Sequence, residues 1–156
     1  MKKILLFLTL CLAFTCNTVL ADDAQDALKF FNNYVAKANS YSPEITTMYS
    51  PKAKIIRQVV KPDGGLVNVN TDTATYVKQM RLGQTIAKIR NYKNKYSNVQ
   101  ITKVANGYKI SSLRQPMKET YWLKTYMIVQ KQSSGKWLIV EELMQTKEQI
   151  FLKYAK

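Results

Sequence analysis

Apolar residues recur at three- and four-residue spacing after position 22, and this period predicts an amphipathic helix. Asp22 or Asp23 is placed to cap the helix, and the turn-rich segment 39–43 ends it. Ser42 and Pro43 then favour the start of a short second helix. The apolar stripe of the first helix consists of Ala24, Ala27, Leu28, Phe31, Tyr34, Val35 and Ala38.

A hairpin and a further helix follow. Residues 54–60 and 66–70 are rich in β-branched residues, and the turn residues at 62–65 between them predict a hairpin. Asp72 or Thr73 is placed to cap the next helix. Gly83 lies on the apolar face of that helix, where it indicates either a close contact with the sheet or the end of the helix.

The last third of the chain is of β type. The turn signals Asn106-Gly107 and 133–135 separate alternating segments, and residues 146–156 predict a helical turn. This order of helices, hairpin, helix and meander predicts an α+β domain with its helices on one face of an antiparallel sheet. The predicted strands of the meander are 99–104, 108–113, 120–131 and 136–145.

Residues 1–21 have the pattern of a secretory signal peptide, so the folded domain is expected to comprise residues 22–156. Lys2 and Lys3 precede an apolar run, and small residues end at Ala21. Cys11 and Cys16 are poorly placed for a lipoprotein cleavage site, which favours cleavage near Ala21 without a lipid anchor. We therefore expect a periplasmic or secreted protein, with no transmembrane segment after the leader.

The residue types that remain after the leader exclude much chemistry. The chain contains no histidine, and both of its cysteines lie within the leader. Residues 22–156 therefore offer no Cys or His as nucleophile, base or metal ligand, and no disulfide. We expect no metal and no cofactor, and a role as a binding protein rather than an enzyme.

The charge distribution is strongly one-sided. Without Lys2 and Lys3 the chain carries 22 basic and 10 acidic residues, and the 46 residues from Thr73 to Lys118 carry ten basic residues and no acidic one. The excess indicates either attraction to an anionic envelope surface or simple solubility. Because lysine outnumbers arginine, nucleic acid is disfavoured as a partner. The surface candidates are Lys78, Arg81, Lys88, Arg90, Lys93 and Lys95.

The chain resembles the nuclear-transport-factor-2-like superfamily, which includes SnoaL-like cyclases and ketosteroid isomerases. The likeness is carried by the helix at 27–34 leading into 48–55, the hairpin at 62–65 followed by the helix at 76–78, and the closing strand at 135–142. The resemblance implies a strongly curved antiparallel sheet wrapped around the long N-terminal helix, with a conical cavity between them. Fold alone does not assign that cavity a function.

The resemblance and strand alternation together suggest a cavity lining. Alternation places Trp137, Ile139 and Glu141 on one face, and the likeness to the family's closing strand implies that this face looks inward. Glu141 with Tyr121 would be the candidate acid–base pair. The aromatic and aliphatic side chains expected on the inner face either line a ligand pocket or form the core. The pocket candidates are Phe31, Tyr34, Tyr121, Leu123, Met127, Trp137, Ile139 and Glu141.

Three functions are therefore open. The first is an exported binding protein whose cone holds a small apolar or amphipathic ligand. The second is a basic protein that binds an anionic surface through residues 73–118, and the third is a cofactor-free isomerase or cyclase. A homodimer through the outer sheet face, with Trp122, Tyr126 and Ile128, is compatible with each of them.

Overall fold

Two long helices and six strands account for most of residues 5–155, the part of the chain that this computed structural model describes; side chains are described from Asp22 onwards. Short 3₁₀ helices precede the first strand and follow the last. In chain order the elements are α1 Leu5–Asn39, the first 3₁₀ helix Pro43–Met48, β1 Tyr49–Val60, β2 Leu66–Thr71, α2 Thr73–Ile89, β3 Asn94–Val104, β4 Gly107–Pro116, β5 Leu123–Lys131, β6 Trp137–Thr146 and the second 3₁₀ helix Gln149–Tyr154.

The six strands form one curved sheet in the order β2-β1-β6-β5-β4-β3. All neighbouring pairs are antiparallel except β1 and β6, the second and third strands of the sheet, which run parallel. The predicted α+β class and cone architecture are confirmed, with this one parallel pair as the difference. No hairpin joins β1 to β6, so their direction is set by the path of the chain between them.

The helix α1 lies across the inner face of the sheet. The ring of Phe31 meets the ring of Tyr96 on β3 edge-to-face, with centroids 5.5 Å apart. The side chain of Asn39 exchanges two hydrogen bonds with the backbone of Asn94, at 3.1 and 3.0 Å, which fixes the end of α1 to the start of β3. The buried apolar core on this face includes Ala27, Phe31, Tyr34, Ile55, Ile110, Met127, Val129 and Ile139.

The start of α1 differs from the sequence expectation. The helix passes through Asp22 and Asp23 without interruption, so neither residue caps it. The physical reason is that no Pro or Gly lies between residues 5 and 39 to break the helix. The predicted leader lies outside the residues whose side chains are described, and it stays a prediction. Within the described part, no helix is long and apolar enough to cross a membrane.

Two glycines also behave differently from expectation. Gly83 neither ends α2 nor approaches the sheet, because the helix continues to Ile89 and an added Cβ would meet nothing within 4 Å. The β3–β4 turn consists of Ala105 and Asn106, one residue earlier than predicted. Gly107 instead begins β4 where an added Cβ would lie 2.0 Å from the carbonyl oxygen of Val129. Its role is therefore close approach to β5.

Candidate functional site

A carboxylate lies inside the cone, and it belongs to Glu142, which is 1% exposed. The hydroxyl of Tyr34 on α1 donates a hydrogen bond to Oε1 of Glu142 at 3.0 Å, and the hydroxyl of Tyr49 on β1 donates to the same oxygen at 3.1 Å. A buried carboxylate is tolerated only when such donors or a cation compensate for its lost hydration. The first helix and the first strand thus converge on the last strand at this group.

The expectation that Glu141 faces the interior is wrong, because a β-bulge interrupts the alternation of β6. Ile128 pairs with Glu141 whereas its neighbour Val129 pairs with Ile139, so Val140 is the extra residue on β6. Beyond the bulge Glu142 points inward and Glu141 points outward. Glu141 there accepts a hydrogen bond of 2.5 Å from the hydroxyl of Tyr126 and lies 3.9 Å from Nζ of Lys54.

Arg57 on β1 supplies the positive charge beside Glu142. Its Nη1 lies 3.7 Å from Oε2 of Glu142, which is an ion pair but too long for a hydrogen bond. Both of these atoms are buried without a hydrogen-bond partner within residues 22–155. The guanidinium also stacks on the ring of Tyr76 of α2, with its carbon 4.6 Å from the ring centroid. The buried polar cluster therefore comprises Tyr34, Tyr49, Arg57, Tyr76 and Glu142.

The tyrosines of the cluster are held in their protonated form. Burial raises the pKa of Tyr34 and of Tyr49 well above the ordinary value, and the charge of Glu142 raises both further. Burial likewise raises the pKa of Tyr76, and the nearby Arg57 guanidinium partly opposes that rise. The hydroxyls of Tyr34 and Tyr49 are therefore hydrogen-bond donors to the carboxylate at neutral pH and do not act as bases.

The cone is almost filled. The interior cavity beside Glu142 has a volume of about 10 Å³, the space of a single water molecule at most. No substrate or lipid fits there without a rearrangement of the core. Its walls are formed by Phe31, Tyr34, Tyr96, Ile110, Ser112, Thr125, Tyr126, Met127, Glu142 and Met144.

The structure brings together some of the predicted pocket residues and separates others. Phe31, Tyr34 and Met127 line the small cavity, and Ile139 and Leu123 are buried on the inner face. Trp137 is half-buried, and its ring packs against that of Tyr108 with centroids 6.1 Å apart.

The predicted pair of Glu141 with Tyr121 is not assembled, because the hydroxyl partner of Glu141 is Tyr126. Tyr121 precedes β5, and Nζ of Lys147 lies 4.0 Å from its ring centroid. Sequence reasoning missed Tyr49, Arg57 and Tyr76. The sequence does contain one indication for Arg57: alternation along β1 places it on the same face as the apolar residues Ile55 and Val59, and therefore on the inner face.

The outer side of α2 carries a second apolar stripe. Leu82, Ile86 and Ile89 are 69%, 55% and 79% exposed. Their spacing of four and three residues places them on one face of the helix. The inner side of α2 already packs on the domain through Tyr76 and Met80. The fold therefore does not require the outer stripe, which is hereafter called the α2 stripe.

Basic residues accompany the α2 stripe. The predicted surface candidates Lys78, Arg81, Lys88, Arg90, Lys93 and Lys95 are all exposed. Arg114, by contrast, is 5% exposed and donates to Oδ1 of Asn94 and to the carbonyl oxygen of Gln145, both at 2.8 Å. It contributes to the core rather than to this surface. Within residues 22–155 no cluster of His, Cys, Asp and Glu side chains could hold a metal ion.

Comparison with solved structures shows which fold this arrangement belongs to. An NTF2-like protein with a cystatin-like fold from Novosphingobium aromaticivorans superimposes with a TM-score of 0.59 at 8% identity, over 87% of this chain and 89% of the other. An NTF2-like protein of unknown function from Pseudomonas putida gives 0.60 at 6% identity, over 87% and 94%. Nuclear transport factor 2 from Cryptosporidium parvum gives 0.56 at 10% identity, over 80% and 92%.

The chain therefore has the nuclear-transport-factor-2-like fold, as its sequence pattern predicts. At such low identity the likeness establishes the fold and not an activity. No protein-family model matches the chain, and no curated protein matches its sequence.

Proposed function

We propose that this chain is an exported, non-catalytic protein that attaches to an anionic lipid surface through the α2 stripe and the basic residues around it. The observation that carries the proposal is the row of Leu82, Ile86 and Ile89, which stays exposed within a 46-residue span that has ten basic and no acidic residues. An apolar row flanked by lysine and arginine is the pattern of helices that lie in the lipid–water interface.

The two contributions act together. Burial of a large aliphatic side chain contributes about 1.5–3 kcal/mol when complete, and each Lys or Arg near an anionic membrane contributes about 1 kcal/mol. Stable attachment to a membrane generally needs two such signals, and this surface offers both. Solubility alone accounts for the lysines but not for three exposed aliphatic residues at helical spacing.

The other sequence-based hypotheses receive less support. A small ligand inside the cone would need far more space than the cavity of about 10 Å³ beside Glu142. An isomerase-like reaction would need Glu141 and Tyr121 together in the cone, and Glu141 instead bonds Tyr126 on the outer face. A homodimer over that outer face, where Trp122 is 43% exposed, is compatible with lipid attachment through α2.

The export part of the proposal is tested first. The chain is expressed with its leader in a bacterium, and the protein is purified from the exported fraction. We expect an N-terminus near Asp22, read by Edman sequencing or intact mass. Retention of the uncleaved chain in the cytoplasm contradicts export.

The lipid part is tested on the processed protein by cosedimentation with vesicles of phosphatidylcholine alone or with one quarter phosphatidylglycerol. We expect binding only to the anionic vesicles, and a decrease of at least about tenfold for the triple variant Leu82→Gln, Ile86→Gln, Ile89→Gln. The matched control changes three exposed aliphatic residues outside α2, Leu66→Gln, Val99→Gln and Ile150→Gln, and should bind like the parent.

Charge reversal at Lys88, Arg90, Lys93 and Lys95 tests the electrostatic part and should abolish binding to anionic vesicles. Unchanged binding after charge reversal, or an equal loss in the control triple variant, overturns the proposal. Sedimentation velocity tests whether a second copy of the chain, rather than lipid, covers the α2 stripe. If the parent is a dimer that only the α2 variant dissociates, the stripe is covered by a second copy.

A further inference from the structure

A groove opens beside the buried polar cluster, whose Arg57 and Tyr76 line it, and its α2 residues precede the α2 stripe. It runs between β2, the first turns of α2 and the second 3₁₀ helix, and its volume is about 440 Å³. That volume falls within the range of small-molecule sites. The groove is called the mouth groove below. The residues that carry the argument are Arg57, Val69, Tyr76, Phe151, Lys153 and Tyr154.

Some charged side chains around the mouth groove have partners within the fold, and others do not. The carboxylate of Asp72 is engaged as the cap of α2, where its Oδ1 accepts a hydrogen bond from the backbone of Thr75 at 2.8 Å. Lys153 has no acidic partner within 4 Å among residues 22–155 and lies over the ring of Tyr154, with Nζ 4.8 Å from the centroid. Arg57 also lines the groove with a side chain that is 15% exposed, although its Nη1 is buried on the Glu142 side. Lys153 therefore supplies an unpaired positive charge at the groove, whereas the charge of Arg57 is partly balanced by Glu142.

The walls of the groove supply apolar surface. The groove is lined by Tyr76, Phe151, Tyr154 and Val69, which come from three different elements. Aromatic walls with a few convergent polar groups are typical of sites that hold a small organic molecule. Such walls suit a flat or aliphatic body whose single charged end reaches Lys153 and Arg57.

We propose that the mouth groove binds a small carboxylic acid with an aromatic or aliphatic body. The carboxylate pairs with Lys153 and with the exposed edge of the Arg57 guanidinium, and the body packs between Tyr76, Phe151 and Tyr154. Guanidinium groups pair well with carboxylates because their planar donors match the two oxygens. This site is separate from the lipid surface proposed for α2, so either proposal can fail without the other.

The site is tested with 4-phenylbutyrate as the probe and 4-phenylbutanol as its uncharged counterpart, by calorimetry and by amide chemical shifts of the full chain. We expect the acid to bind at least about tenfold more tightly than the alcohol. Shift changes should concentrate in residues 69–79 and 151–155, the two segments that form the walls. Absence of binding by the acid at millimolar concentration overturns the proposal.

Two lysines provide a matched pair of variants, because each lies over a tyrosine ring and only one lines the groove. Lys153→Gln should weaken 4-phenylbutyrate binding about tenfold, whereas Lys147→Gln, whose lysine stacks on Tyr121, should leave it unchanged. Phe151→Ala should weaken both probes. Equal effects of the two lysine variants, equal affinity for acid and alcohol, or shift changes centred on 82–89 would each overturn the assignment.

Discussion

The hydroxyl of Tyr34 reaches Oε1 of Glu142 at 3.0 Å and so joins the first helix to the last strand across 108 positions of the chain. Tyr49 donates to the same oxygen from the beginning of β1. A carboxylate that is 1% exposed and anchored in this way fixes the position of α1 against the sheet. The buried polar cluster therefore fixes the packing of α1 on the sheet, and it occupies the interior of the cone, where proteins of similar fold can hold a cavity.

The first prediction compares two tyrosine–glutamate hydrogen bonds on opposite faces of the sheet. Tyr34→Phe leaves the buried Glu142 with one donor fewer, and we expect a loss of about 1.5–3 kcal/mol in the free energy of unfolding. Tyr126→Phe removes the corresponding bond to Glu141, whose side chain is 25% exposed, and should cost about 1 kcal/mol or less. Urea denaturation followed by circular dichroism measures both. Equal losses would contradict the structural role of Glu142.

The second prediction concerns the ion pair of Arg57 and Glu142. Arg57→Met leaves a buried carboxylate without its cation and should cost about 3–5 kcal/mol. Glu142→Gln in the same chain removes the unpaired charge, so the double variant should recover most of the loss. A double-mutant cycle from urea denaturation gives the coupling energy. Additive losses in the two single variants would show that the pair at 3.7 Å is energetically irrelevant.

Much of the architecture was accessible from the sequence because the relevant signals are local. Ser42 does cap the first 3₁₀ helix, and Asp72 does cap α2. The predicted hairpin and meander are present, but the strand ends differ: β3 begins at Asn94 rather than near position 99, and β5 begins at Leu123 rather than at position 120. Periodicity, caps and turn residues depend on nearest neighbours and are therefore readable in one chain.

The site was less accessible because it depends on pairing between distant strands. The bulge at Val140 changes which residues of β6 point inward, so that Glu142 rather than Glu141 faces the core, and no residue type in that strand indicates a bulge. The cluster also places a charged residue, Arg57, on the inner face of β1, where patterning expects an apolar one. Only the three-dimensional register shows that Glu142 stands opposite Ile55, two residues from that arginine.

The third prediction uses two glycines with opposite environments. Gly83→Ala places a methyl group in open space within α2 and should raise the free energy of unfolding by about 0.5–1 kcal/mol through helix propensity. Gly107→Ala places a methyl group 2.0 Å from the carbonyl oxygen of Val129 and should lower it by about 1–3 kcal/mol or more. Thermal and urea unfolding measure both. A stabilising Gly107→Ala would contradict the close approach of β4 to β5.

The fourth prediction is a loss of stability at alkaline pH. The pKa values of Tyr34, Tyr49 and Tyr76 are raised in the folded chain, whereas those of the unfolded chain stay near 10.0. The folded state thus binds more protons above pH 10, and stability that is fully present below that pH is lost as the pH rises further. Each such tyrosine contributes a slope of up to about 1.4 kcal/mol per pH unit.

Urea denaturation between pH 8 and 11.5 tests this slope. The parent protein should keep a constant free energy of unfolding up to about pH 9.5 and then lose stability steeply. Tyr34→Phe should be less stable at pH 8 but lose stability less steeply with pH, because it removes one group whose pKa is higher in the folded than in the unfolded chain. Tyr92→Phe, which changes an exposed tyrosine, should keep the slope of the parent. A stability that is flat to pH 11.5, or identical slopes in all three proteins, would contradict the assignment of Tyr34 and Tyr49 as permanently protonated donors to Glu142.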